Sequence, residues 1–336
     1  MNYEKFTKEV KRELEKLVQE KLDEGIVVIR NVTKNNNIRM RAVSIMRKCD
    51  KATPTIYLRE YYNEHKRGKD IIEICNEIFD VYLLGLNALK TNISIKDLSN
   101  FDKIKDQIFY RLVNYEMNQT MLKNVPHIKF LDLAIIFYIM VACHEEGQAT
   151  ALIHNSHIEQ WNKSFHEIRD IAFQNTWEKY PPVIKRMEDI VSDMLIEEML
   201  DDVNMKQNED GEIISEETKY GEYTYHEVRE MIREEVEKLK LDENMDMYVM
   251  TNTLKTNGAV CITYPGVIRE FAEKKGEDIY IIPSSVHEVI LIPGVSWNKG
   301  EIDQMIHEVN KTQLEPVDVL SNHVYIYRKD TKQIEY

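Results

Sequence analysis

The densest run of side chains able to do chemistry is Pro283-Ser-Ser-Val-His-Glu288, which brings two hydroxyls, an imidazole and a carboxylate together within one short segment. A serine activated by a neighbouring histidine can attack a carbonyl or phosphoryl centre, and a carboxylate can orient the base. Ser284, Ser285, His287 and Glu288 are therefore the candidate catalytic residues. In extended chain, Ser285 and His287 point to one face and Glu288 to the other. Neither serine sits in G-x-S-x-G, the sharp turn that exposes a hydrolase nucleophile. Turn chemistry supplies the competing role, in which serine hydroxyls bond the backbone where the chain reverses. For His287 the strand pattern expects a packed, structural ring on the face of Val289 and Leu291.

Metal chemistry is the second option. Five of the ten histidines precede a glutamate: His144, His166, His226, His287 and His307. None continues as H-E-x-x-H, the spacing that puts two imidazoles on one helical face. A composite site of His287, His307 and His323 with a carboxylate is the remaining metal arrangement, because ligands can come from separate elements. His154-Asn-Ser-His157 reads as a strand-to-helix junction, with Asn155 or Ser156 as the cap. Neither G-x-x-x-x-G-K-[ST] nor G-x-G-x-x-G occurs, so no common nucleotide loop is present and no cofactor is called for.

Two apolar runs, Ile279–Ile282 and Val289–Ile292, flank the Ser-Ser turn and read as strands. The second is apolar at every position, which expects a central strand covered on both faces. Upstream, Phe6, Val10, Leu14, Leu17, Val18 and Leu22 recur at helical spacing. Strand, polar turn, strand, helix is then read three times. The first instance is Ile26–Ile29 with Ile38–Met46, followed by a helix from Pro54. The second is Phe130–Val141 with Gln148–His154, followed by a helix through Thr176. The third is Met247–Thr251 with Ala259–Tyr264, followed by a helix from Pro265. Such recurrence is either a divergent internal repeat or reuse of a common hairpin-plus-helix unit. Asp70 can cap a helix carrying Ile71, Ile74, Ile78 and Leu83 on one side. A helical stripe runs from Val183 to Leu200, Met205–Tyr223 reads as a polar loop, and Tyr225–Leu241 resumes a charged helix. Lys299–Asn310 is helical with Ile302, Met305, Ile306 and Val309 inward, and His323–Tyr327 is the last strand. The fold class is α+β, antiparallel β-hairpins packed against helices with a helical acidic insertion. Its expected parts are residues 1–100, 101–182, 183–245 and 246–336.

The net charge of −14 is localised. Between Met187 and Met245 there are 20 acidic and 6 basic residues, and the remainder of the chain is balanced. Counter-ion release on nucleic acid needs clustered Lys and Arg, so general nucleic-acid binding is disfavoured. The acidic stretch suits a solvated helical pair or a partner-facing surface. The longest apolar run, Leu133–Cys143, is well short of the roughly 20 residues a membrane helix needs. Cys49, Cys75, Cys143 and Cys261 are scattered among apolar neighbours without a C-x-x-C pair, which fits buried thiols and a cytoplasmic protein.

Several strings occur together in order: Pro54-Thr-Ile-Tyr-Leu58, Gly147-Gln-Ala-Thr150, Met247-Tyr-Val-Met-Thr-Asn252, Gly258-Ala259, Tyr264-Pro-Gly266, Ile282-Pro-Ser-Ser-Val-His-Glu-Val-Ile290 and Val319-Leu-Ser-Asn-His-Val-Tyr325. From about residue 20 to residue 328 the chain resembles the bacterial family catalogued as domain of unknown function 5688. Residues 204–240 match it least, consistent with an insertion. The resemblance implies no activity, cofactor or catalytic residue. The residues themselves favour a non-catalytic binding or regulatory protein with a protein or small-molecule partner. A hydrolase or metal-dependent enzyme centred on Ser284, Ser285, His287 and Glu288 is the alternative.

Overall fold

A computed structural model describes residues 1–22, 24–48, 53–91, 97–144, 147–201, 205–207, 213–215, 224–238, 246–294 and 298–336. The chain forms two compact units, Met1–Pro181 with Val309–Ser321, and Pro182–Glu308 with Asn322–Tyr336. It is α+β: antiparallel sheets packed with helices, without a barrel.

The first unit opens with α1 (Tyr3–Lys21), capped by Asn2, whose side-chain oxygen accepts the Lys5 N–H. Phe6, Val10, Leu14 and Val18 are its buried stripe, and Leu17 and Leu22 pack at the margin. The hairpin β1 (Ile26–Thr33) and β2 (Arg39–Met46) follows as expected. The helix expected from Pro54 does not start there. The stretch from Pro54 begins as β3 (Ile56–Tyr57), which pairs with Ala42 and Val43 on the free edge of β2, and α2 (Arg59–Lys66) starts only afterwards. In α3 (Ile71–Thr91), Asp70 accepts the Ile72 N–H. Ile74, Ile78, Tyr82 and Leu86 face inward while Leu83 is exposed, a stripe rotated from the expected one.

A short turn of helix, α4 (Phe101–Ile104), leads to β4 (Ile108–Asn114), α5 (Gln119–Leu122) and β5 (His127–Phe130). The long strand β6 (Leu133–His144) and β7 (Gly147–Leu152) complete a four-stranded sheet. The expected strand from Phe130 is in fact two strands, because Leu131 turns the chain at a φ of 57°. β6 is the spine, pairing with β4 on one side and with β5 and then β7 on the other. The helix α6 (Asn155–Trp161) is capped by His154, not by Asn155 or Ser156. The Nδ1 of His157 accepts the His154 N–H at 3.1 Å. In α7 (Phe165–Lys179), Ser164 and Glu167 form a reciprocal cap. α7 also closes the outer edge of β4, since Thr176 accepts the Tyr110 N–H and Asn175 donates to the Lys105 and Ile108 carbonyls.

The second unit is built on a six-stranded antiparallel sheet. Its first strand, β8 (Pro182–Arg186), corrects the expected helix start at Val183: the stripe there is a strand, and α8 (Met187–Asp201) begins after it. Of the expected loop 205–223, β9 (Met205–Gln207) and β10 (Ile213–Ser215) form a small hairpin, and the rest lies outside the described residues. α9 (Tyr225–Lys238) follows, then β11 (Tyr248–Asn252). Ala259–Tyr264 is not a strand. Gly258–Thr263 is a 3₁₀ helix whose residues 258–262 are buried, so the third hairpin, and with it the third copy of the repeat, is absent. A short apolar run cannot signal by itself which of the two it becomes.

After α10 (Val267–Lys275), β12 (Ile279–Ile282) and β13 (Val289–Pro293) pair as a hairpin, and β13 lies between β12 and β11 as the central position required. α11 (Lys299–Thr312) buries Ile302 and Ile306, but Met305 and Val309 are exposed, so its inward stripe is narrower than expected. β14 (Tyr325–Arg328) and β15 (Gln333–Glu335) complete the sheet order β15-β14-β12-β13-β11-β8.

Candidate functional site

Residues 283–288 are the connection between β12 and β13, flanked by the pair Ile282–Ile290. They are not extended strand, so alternation does not set their directions. Ser285 is 4% exposed, and its hydroxyl oxygen accepts the His287 N–H at 3.0 Å. This is the side-chain turn that serine makes with the amide two residues on. The Ser285 N–H donates to the Glu288 carbonyl at 3.2 Å. Thus the hydroxyl most sheltered from water is spent on holding the loop.

The loop is fastened to residues that follow β11. Thr251 donates its hydroxyl to the His287 carbonyl at 2.8 Å, and the Asn257 N–H points to His287 Nδ1 at 3.3 Å. In that contact the ring nitrogen is the acceptor. The Ala259 N–H donates to the Val286 carbonyl. Asn257 holds a left-handed conformation (φ 54°) that asparagine tolerates better than most residues. Gly258 sits where nothing larger fits. A Cβ there would come within 2.5 Å of the His287 oxygen and 2.7 Å of the Asn252 nitrogen, and closer still to Thr251 Oγ1.

Two further polar groups close the knot. Asn252, 2% exposed, donates to the Thr256 carbonyl at 3.1 Å, while its own buried Oδ1 has no hydrogen-bond partner among the described residues. Cys261 donates its thiol to the Thr251 carbonyl at 3.3 Å, and burial pushes that thiol up to about 12. A thiol held protonated to that extent supplies no thiolate nucleophile at neutral pH.

The family model matches residues 3–329, nearly the whole chain. The chain belongs to DUF5688, a family of unknown function. The match takes in α1, which lies upstream of the resemblance seen in the strings. No curated protein and no solved structure matches the chain significantly. Two of the strings that suggested DUF5688, Met247–Asn252 with Gly258-Ala259 and Ile282–Ile290, meet in space at the knot just described.

The other histidines of this DUF5688 chain lie elsewhere. His307 is exposed on α11, and His323 sits 3.5 Å from Asp303. Among the described residues no group of three His, Cys, Asp or Glu side chains is placed to hold a metal ion. Ser284 and Glu288 are partly exposed at the loop. What the sequence reading missed is the partner half of the knot: Thr251, Asn252, Asn257 and Gly258. An Asn-Gly pair is a visible turn signal, but the carbonyl it approaches belongs to a residue 29 positions on.

Proposed function

We propose that this chain is a non-catalytic binding or regulatory protein, and that Pro283–Glu288 is an architectural connection rather than a reaction centre. The observation that carries this reading is the Ser285 hydroxyl accepting the His287 amide at 3.0 Å. A nucleophilic serine presents its oxygen to a substrate, whereas this oxygen is buried and occupied by an amide. The His287 carbonyl and ring nitrogen are likewise engaged by Thr251 and Asn257, which ties the loop to β11. Bonds of this kind rigidify a segment.

The acidic segment, Met187–Met245, is the feature of the chain best suited to a protein partner with a basic surface. The same charge opposes general nucleic-acid binding. Among the described residues no helix is long and apolar enough to cross a membrane. A cytoplasmic setting fits the two buried free thiols, Cys75 and Cys261.

Labelling with a fluorophosphonate, which captures activated serines, tests the reading directly. Purified protein should show no stoichiometric adduct at Ser284 or Ser285 by mass spectrometry. Stoichiometric labelling at either serine that disappears in a folded His287→Ala variant would establish the hydrolase instead.

A further inference from the structure

The turn that fastens loop 283–288 carries a reactive pair of its own, and the inference from it stands whether or not that loop is a reaction centre. Asn257-Gly258 is the single Asn-Gly dipeptide of the chain. The side-chain carbon of an asparagine can be attacked by the backbone nitrogen of the next residue, and glycine hinders that attack least because it has no Cβ. The new C–N bond closes a succinimide ring, and the side-chain nitrogen leaves as ammonia with the proton of the Gly258 amide. Water then opens the ring at either carbonyl, giving aspartate or isoaspartate. The reaction needs no oxidant and no co-reactant other than water.

The folded backbone does not allow that ring to close. Asn257 has φ 54° and ψ 24°. At this ψ the Gly258 nitrogen nearly eclipses the Asn257 nitrogen. Tetrahedral geometry at Cα then leaves the Asn257 carbonyl oxygen, and not the Gly258 nitrogen, on the side chain's side of the Cα–C bond. Attack requires ψ to swing the nitrogen across, and contacts around the pair oppose the swing. The Asn257 N–H points to His287 Nδ1 at 3.3 Å, and the Asn257 carbonyl accepts the Val260 N–H at 3.3 Å. Beyond the pair, the Ala259 N–H donates to the Val286 carbonyl at 3.3 Å. Before it, Asn252 donates to the Thr256 carbonyl at 3.1 Å. Gly258 itself is buried against the His287 carbonyl, which a Cβ would approach to 2.5 Å.

We propose that Asn257 is a deamidation site held closed by the knot, so that opening of the knot sets the rate at which the chain acquires aspartate or isoaspartate at position 257. The same turn demands both residues: asparagine tolerates the left-handed conformation, and only glycine fits against the His287 carbonyl. The reactive pair is thus a consequence of the architecture, and the architecture is also what protects it. Modification works in one direction. Isoaspartate routes the main chain through the side-chain carbons and lengthens it by one atom beside Gly258, where an added atom has no room. A molecule that stays open long enough to react therefore cannot re-form the turn.

The experiment incubates the full chain at pH 8 with and without guanidinium chloride and follows each asparagine by peptide mass spectrometry. In denaturant, Asn257 should convert faster than any other asparagine. In native protein its conversion should be at least about tenfold slower, because only the open fraction reacts. Thr251→Val removes the hydroxyl that holds the His287 carbonyl. It should raise the native rate about fivefold, the effect of one hydrogen bond on an opening equilibrium, and leave the denatured rate unchanged. Should Thr251→Val not fold, Ser285→Ala, which frees the His287 amide, takes its place. Equal rates in native and denatured wild-type protein, or a native rate unmoved in the folded variant, would overturn the protection. Another asparagine converting first in denaturant would overturn the site.

Discussion

Asn36 is the residue whose replacement tests the packing of the first unit most sharply. It lies between β1 and β2 with a left-handed backbone (φ 57°, ψ 28°) and is 5% exposed. Its Nδ2 donates to the Pro316 carbonyl at 2.9 Å and the Val319 carbonyl at 2.7 Å, and its Oδ1 accepts from Asn118 at 2.9 Å. Asn118 in turn accepts the Asn36 N–H, and Asn114 donates to the Leu320 carbonyl. This asparagine network secures residues 316–320 within the unit. Asn36→Ala removes three side-chain hydrogen bonds, two of them buried, each worth about 1 kcal/mol net, and adds about 1 kcal/mol for a left-handed alanine. The expected loss is about 4 kcal/mol. Asn36→Gly loses the same bonds but escapes the backbone penalty, so it should be the milder variant by about 1 kcal/mol. Urea denaturation measures both. A Trp297→Phe background leaves Trp161 and Trp177, both in the first unit, as the fluorescent reporters. A loss below about 1 kcal/mol in Asn36→Ala, against the hydrogen-bond scale, refutes the network. Alanine no worse than glycine would refute the left-handed turn.

Three shorter tests follow from other contacts. Gly258→Ala should destabilise the second unit by about 3 kcal/mol, because the new methyl meets backbone atoms that cannot step aside; near-wild-type denaturation would mean that the β11 segment and loop 283–288 are not in contact. Glu167 accepts the Ser164 N–H and hydroxyl and pairs with Lys163, which hold its carboxyl at about 2 against an ordinary 4.5. A depressed carboxyl stabilises above its unfolded value, so this contribution is whole above pH 4.5 and is lost as the pH falls towards 2. Carboxyl-detected NMR should find the low midpoint, and Ser164→Ala should raise it part of the way, since the backbone N–H remains. Cys75 and Cys261, both pushed up to about 12 by burial, should resist iodoacetamide at pH 8 in native protein and react in urea; native alkylation mapped to either would place it at the surface.

The sequence by itself determined what depends on neighbours within a turn or two. The stripe of α1, the β1–β2 hairpin and the Ser164 cap are legible because periodicity, turn residues and caps act between residues at most four apart. The all-apolar Val289–Ile292 also declared its central place, since only a strand covered on both sides can afford it. Tertiary structure alone decided the rest. Ala259–Ile262 is apolar enough for a strand, yet it coils as a 3₁₀ helix where Gly258 meets the His287 carbonyl. α11 has four apolar residues at helical spacing but only Ile302 and Ile306 meet the core of the second unit, so Met305 and Val309 stay exposed. Which group the Ser285 hydroxyl meets was open in the sequence, and the loop pairs its oxygen with the His287 amide.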